Sequence, residues 1–227
     1  MLLLMGALAA WPVGAHGDPL RRRSGLVSVL MILLVLTRSA AIAPMVGFAI
    51  ALVLAGQVRR AIVLLGPAAL VALAWGTWAA ARVVEIPEGM RDVLGPYTGW
   101  LSQQLLGDPA GFSGRMPAHI EAVAGRVAAL LMPGVPSVLG GFVLALLLPL
   151  VAVGFRGMLR RFPPFAWAAV AYLGLLLLWP YVDGRLVAPL HPFLVTFILV
   201  GAADVGRSLR APRMSRILRA VVVGWVG

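Results

Sequence analysis

The chain has 227 residues, of which 61% are apolar and 12% charged, with a formal net charge of +11. A soluble domain has about a quarter of its residues charged, so the balance excludes one and indicates an all-α, polytopic membrane bundle with roughly six or seven helices and one sizeable loop. Without Cys there is no disulfide framework, thiolate nucleophile or Cys metal site.

The apolar stretch from Met1 to Gly14 lacks the basic start of a signal peptide and is too short to span a bilayer. The stretch from Ile217 to Gly227 turns apolar and stops. Both read like cut spans, so a fragment or an internal start of a longer protein is expected.

Arg21, Arg22 and Arg23 precede a short apolar run, Gly25 to Leu36, which Thr37-Arg38-Ser39 interrupts. A second run, Ala40 to Gly56, ends before Arg59-Arg60. Basic flanks on both sides predict a broken hairpin with Thr37-Arg38 at its outer tip. One long kinked helix is the alternative. Ala61 to Ala80 is a full span, with Gly66-Pro67 as a kink that neighbouring helices tolerate. Trp75 and Trp78 sit near its outer end as an interfacial belt would.

Region 81–126 holds five of the eight acids and is broken by Pro and Gly into short pieces. Asp92 to Leu106 reads as an amphipathic surface helix. Met116 to Leu131 reads as another, with Ile120, Val123, Val127 and Leu130 on one stripe. Three further spans follow: Val135 to Phe155, Phe165 to Tyr181 and Leu186 to Val205. The coarse division is residues 1–80, a loop region 81–134, and membrane helices again from 135 to 227.

Thirteen of the 19 Arg fall in four clusters, at 21–23, 59–60, 156–161 and 207–219. Setting these on the cytoplasmic side leaves 81–126 and Asp183-Gly184-Arg185 outside, with no forced break in the alternation. Topology thus accounts for the net charge, and no nucleic-acid partner is expected. The partner is the bilayer. A multi-pass bacterial plasma-membrane protein fits this pattern. No oligomeric state follows.

The chemistry-bearing residues gather on the outer side. Arg185 and Arg38 offer planar guanidinium donors to a lipid phosphate. Snorkelling of Arg185 to headgroups is the alternative. Asp183 orients Arg185, or the two form an interfacial ion pair worth little. His191 donates to a phosphate, or is a core histidine bonded to backbone. Tyr97 and Trp100 stack on a sugar ring, or anchor the loop at the interface. No metal-ligand spacing and no nucleotide fingerprint appears, so no cofactor is indicated, and a divalent metal stays open.

Gly184-Arg185-Leu186, then Ala188-Pro189 and Pro192-Phe193, follow an apolar run ending Trp179-Pro180-Tyr181. This resembles the "gRYllPllP" segment of GT-C-type glycosyltransferases. Leu36-Thr37-Arg38 with Arg59-Arg60 downstream resembles a second segment of the same family. The resemblance, to the dolichyl-phosphate-mannose mannosyltransferase kind, implies an integral membrane enzyme. It moves a sugar from a polyprenyl-phosphate donor to an acceptor on the extracytoplasmic side. The family's catalytic acid lies in its first extracytoplasmic loop. No segment here matches that loop, so no catalytic residue is assigned, and the loop is expected in a missing N-terminal half. A transporter or flippase of lipid-linked intermediates, or a non-catalytic membrane subunit, are the alternative functions.

Overall fold

A computed structural model describes residues 20–37, 41–82, 107–179 and 184–208. The helices are α1 (Leu20–Thr37), α2 (Ile42–Leu54), α3 (Val58–Arg82), α4 (Pro109–Leu131), α5 (Ser137–Arg161), α6 (Pro163–Leu178), the single turn α7 (Gly184–Val187) and α8 (His191–Ser208). A 3-10 turn, Ala188–Leu190, joins the last two. There is no strand among the described residues, and the fold is all-α. Among the described residues three segments are long and apolar enough to cross a membrane: Val58–Ala79, Val138–Arg161 and Gly184–Ser208. The outward side chains of the first two are large and apolar, with Leu70 69% and Val138 86% exposed. Water would penalise such continuous faces, whereas lipid does not, so this is a membrane protein.

Local chemistry sets the helix ends. The α2 chain stops at Gly56, whose φ of 71° suits glycine. Gly56 N–H donates to Val53 O at 2.9 Å and Gln57 N–H to Leu52 O at 2.8 Å, the paired bonds of a Schellman motif. The α5 chain stops before Pro163, which then opens α6 where a missing N–H costs nothing. The α4 helix starts earlier than the periodicity from Met116 predicted. Asp108 Oδ1 accepts from Gly111 N–H at 2.9 Å, and Pro109 occupies the first turn.

The α3 helix runs unbroken through Pro67. That ring removes the donor that would meet the Val63 carbonyl. Ser28 of α1 answers it: its hydroxyl lies 2.7 Å from Leu64 O and 3.4 Å from Val63 O. This side chain sets α1 against α3 and satisfies a proline turn within an apolar environment.

The same contact decides between the hairpin and the single kinked helix. Were α1 continuous with α2, Ser28 would lie about 36 Å from Leu52, which packs beside the start of α3. Instead Ser28 meets the beginning of α3, so α1 and α2 go out and come back. The α2 helix then packs antiparallel on α6, with Gly47 against the backbone of Trp167 and Ala168. Ala43 joins Tyr172 and Leu176 in one cluster.

The α5 and α8 helices run parallel. Gly154 abuts Phe197, Gly157 abuts Val200 and Asp204, and Arg161 bonds Asp204 at 2.8 Å. A Cβ at Gly154 would overlap the Phe197 carbonyl, and one at Gly201 would overlap the Leu150 carbonyl. The two backbones therefore touch, as small residues permit in membrane bundles. Phe155 and Phe165 close edge-on around Phe197 beside this crossing.

These directions bring the starts of α1 and α3 and the ends of α5 and α8 to one end of the bundle. Arg59, Arg60, Arg156, Arg160, Arg161 and Arg207 lie there. Six of the thirteen clustered Arg are thus brought to one end in space. The Arg185 turn lies at the other end.

Candidate functional site

The far end of the bundle is built on a second apolar cluster. Val123, Val127 and Leu131 of α4 meet Tyr172 and Leu176 of α6, Val187 of α7 and Leu190 of the 3-10 turn. The α4 helix lies over the ends of its neighbours. Ala128 faces Gly140 in the first turn of α5, and His119 reaches the last turn of α6. The stripe expected for α4 is corrected in part. Val123 and Val127 are buried and Leu130 is partly so, but Ile120 is 49% exposed. His119, one residue earlier, turns inward instead. Its ring nitrogen Nε2 is 3.0 Å from Leu176 O. A carbonyl only accepts, so His119 donates from Nε2. Late carbonyls of a helix lack a regular α-helical donor, and a cross-helix N–H supplies one.

The segment carrying Arg185 is made irregular by its prolines. Pro189 has no N–H to offer the Arg185 carbonyl, and Pro192 none to offer the Ala188 carbonyl. The chain tightens, and His191 N–H bonds Ala188 O in a 3-10 turn. Below it the Thr196 hydroxyl donates back to Pro192 O at 2.6 Å. Tyr172 holds the turn from the side: its hydroxyl donates to Leu186 O at 2.8 Å, and the ring is 2% exposed. Val187 and Leu190 point into the cluster, whereas Arg185 is exposed. The buried residues and the tyrosine fix the backbone that presents the guanidinium.

His191 is half-buried and opens α8. It lies six residues beyond Arg185. The α-turn and 3-10 turn together make two turns, about 10 Å along the axis. The two therefore stand at different depths. Arg38, Asp183, Tyr97 and Trp100 lie outside the described residues. Among the described residues no group of three or more His, Asp or Glu is placed to hold a metal ion. Every buried side-chain nitrogen or oxygen there has a hydrogen-bond partner.

Sequence reasoning missed Tyr172 and His119 as supports of this end. The available signal was a phenol within the apolar run Phe165 to Tyr181, since a buried tyrosine hydroxyl needs an acceptor. Tyr172→Phe is expected to keep the packing and lose one hydrogen bond, lowering stability by about 1 kcal/mol. Thermal unfolding in detergent measures that. Proteolysis at the Arg185 turn should accelerate as well. An unchanged rate would mean that Tyr172 does not hold the turn.

The fold and this end of the bundle define a helical membrane protein with an arginine-bearing turn opposite its basic end. No protein-family model matches the chain, and no curated protein and no solved structure matches it.

Proposed function

We propose that the chain belongs to a membrane glycosyltransferase of the GT-C kind, and that the Arg185 turn takes the phosphate of a polyprenyl-phosphate sugar donor. Transfer is to an acceptor on the side of the membrane where this turn lies, the extracytoplasmic side by the distribution of Arg. The observation that supports this reading is the exposed Arg185 on a backbone clamped by Tyr172, at the end away from the arginine clusters. A planar guanidinium matches a phosphate oxygen pair. As the sugar leaves, negative charge grows on that phosphate, and a fixed cation beside it stabilises the transition state. The α4 helix, lying over the bundle end, would bound the space in which donor and acceptor meet.

Photocrosslinking tests this reading. The purified chain in lipid nanodiscs is exposed to a polyprenyl-phosphate hexose carrying a photoreactive group near the phosphate. Crosslinks are expected on α7, the 3-10 turn and the adjoining face of α4. Excess unlabelled polyprenyl phosphate should suppress them. Crosslinks spread along the lipid-facing sides of α3 and α5, insensitive to competitor, would refute the assignment.

A further inference from the structure

We propose that the exposed stripe of α5 seats a single anionic phospholipid, its acyl chain along the apolar part and its phosphate at Arg156 and Arg160. Leu139, Phe142, Leu146, Val153, Arg156 and Arg160 follow one another at three, four or seven residues, so they share one face of the helix. The four apolar members are 53%, 61%, 61% and 39% exposed. The neighbouring face, with Gly154 and Gly157, is taken by α8. The apolar part of the stripe is about 21 Å long. That exceeds the roughly 15 Å of hydrocarbon in one leaflet, so an acyl chain lies along it for its full depth.

Charge selects the headgroup. The basic end has one carboxylate among the described residues, Asp204, and it already accepts from both Arg161 and Arg207. Arg156 and Arg160 stand one turn apart on the stripe and have no carboxylate partner among the described residues. Like charges at this spacing raise each other's energy. A phosphate between them relieves that cost and gains two charge-assisted contacts. A phospholipid with net negative charge offers the phosphate and the acyl chain together. A zwitterionic lipid brings its own cation to compete with the arginines, and inorganic phosphate brings no chain.

Native mass spectrometry of the full chain, released from detergent micelles and titrated with phosphatidylglycerol, phosphatidylcholine or inorganic phosphate, tests the site. One phosphatidylglycerol should be retained, phosphatidylcholine should bind more weakly, and millimolar inorganic phosphate should not displace the lipid. Arg156→Gln with Arg160→Gln should raise the Kd for phosphatidylglycerol by roughly ten- to thirty-fold, from the worth of two basic residues near an anionic headgroup. Arg59→Gln with Arg60→Gln removes the same charge from the same end and should change that Kd little. Equal weakening by both pairs would reduce the effect to diffuse attraction and overturn the proposal, as would progressive binding of several lipids without a saturable first. A lipid-free dimer lost in the Arg156→Gln, Arg160→Gln variant would make the stripe a protein interface and overturn it too.

Discussion

Gly154→Leu is expected to leave no folded protein. A Cβ at Gly154 would already overlap the Phe197 carbonyl, and the overlap is with backbone, which no rotamer change relieves. Inserting one extra methylene into a packed core costs about 1–3 kcal/mol when neighbours can shift. Here the neighbour is the main chain of α8, and four carbons must be placed. The cost reaches the scale of the whole folding free energy, about 5–15 kcal/mol. Gly154→Ala should show the smaller loss, and Gly201→Ala the same from the other side of the contact, where Leu150 carbonyl stands. The controls lie in α5 and α6. Gly141 and Gly174 have no foreign atom near a built Cβ, so alanine there should leave stability unchanged or slightly raised. Detergent-solubilised yield and thermal unfolding separate the two groups. Wild-type unfolding of Gly154→Leu would mean that α5 and α8 do not cross where described.

Arg185→Ala is expected to weaken binding of a polyprenyl-phosphate sugar by about ten-fold to a hundred-fold, the worth of one hydrogen-bonded charge. Arg185→Lys keeps the charge but loses the planar fork, so it should fall between wild type and alanine. Thermal stability should hardly change, because the packing of this segment comes from Val187, Leu190 and the Tyr172 bond rather than from the exposed guanidinium. Donor affinity is read by titrating the purified chain in nanodiscs. Normal affinity in the alanine variant would leave Arg185 a headgroup anchor and remove the phosphate role. A variant that fails to accumulate would make the arginine structural and would remove it equally.

The helices were legible because their signals are local. Long apolar runs give the spans, and Gly56 marks an end by a rule that acts within one turn; Asp108 and Pro163 carry signals of the same local kind, which hydropathy alone passed over. The arginine clusters gave the direction of each helix, and Ser28 against Leu64 agrees with the hairpin they required. Other features were not legible, because they are set by partners distant in the chain. The phase of α4 is one. Ile120 and His119 are adjacent, and hydropathy would bury the isoleucine, yet it is the histidine that faces the bundle, where the Leu176 carbonyl takes its N–H as well as that of Trp179. Tyr172 is another, since its acceptor is a backbone oxygen and every residue has one. The arginine–aspartate pair across α5 and α8 spans 43 residues. Close packing was the expected use of glycines in the apolar runs, but nothing in the pattern matched Gly154 to α8. Of the candidate site residues, Arg185 and His191 fall among those described, and the 3-10 turn between them follows from how two prolines share one short segment, which hydropathy does not register.

The backbone contact between α5 and α8 also has a mechanical meaning. Two rods in contact at carbonyl level, joined at one end by the Arg161–Asp204 pair, resist sliding and rolling independently. From Gly201 to Asp204, α8 is a fixed post. Compliance is left to the segment above Pro192, where prolines have removed ladder bonds and a single 3-10 turn bridges the gap. Displacement of the guanidinium by an incoming ligand would therefore be taken up by bending at this joint, against the restoring pull of the Tyr172 hydroxyl, while the remainder of α8 stays still.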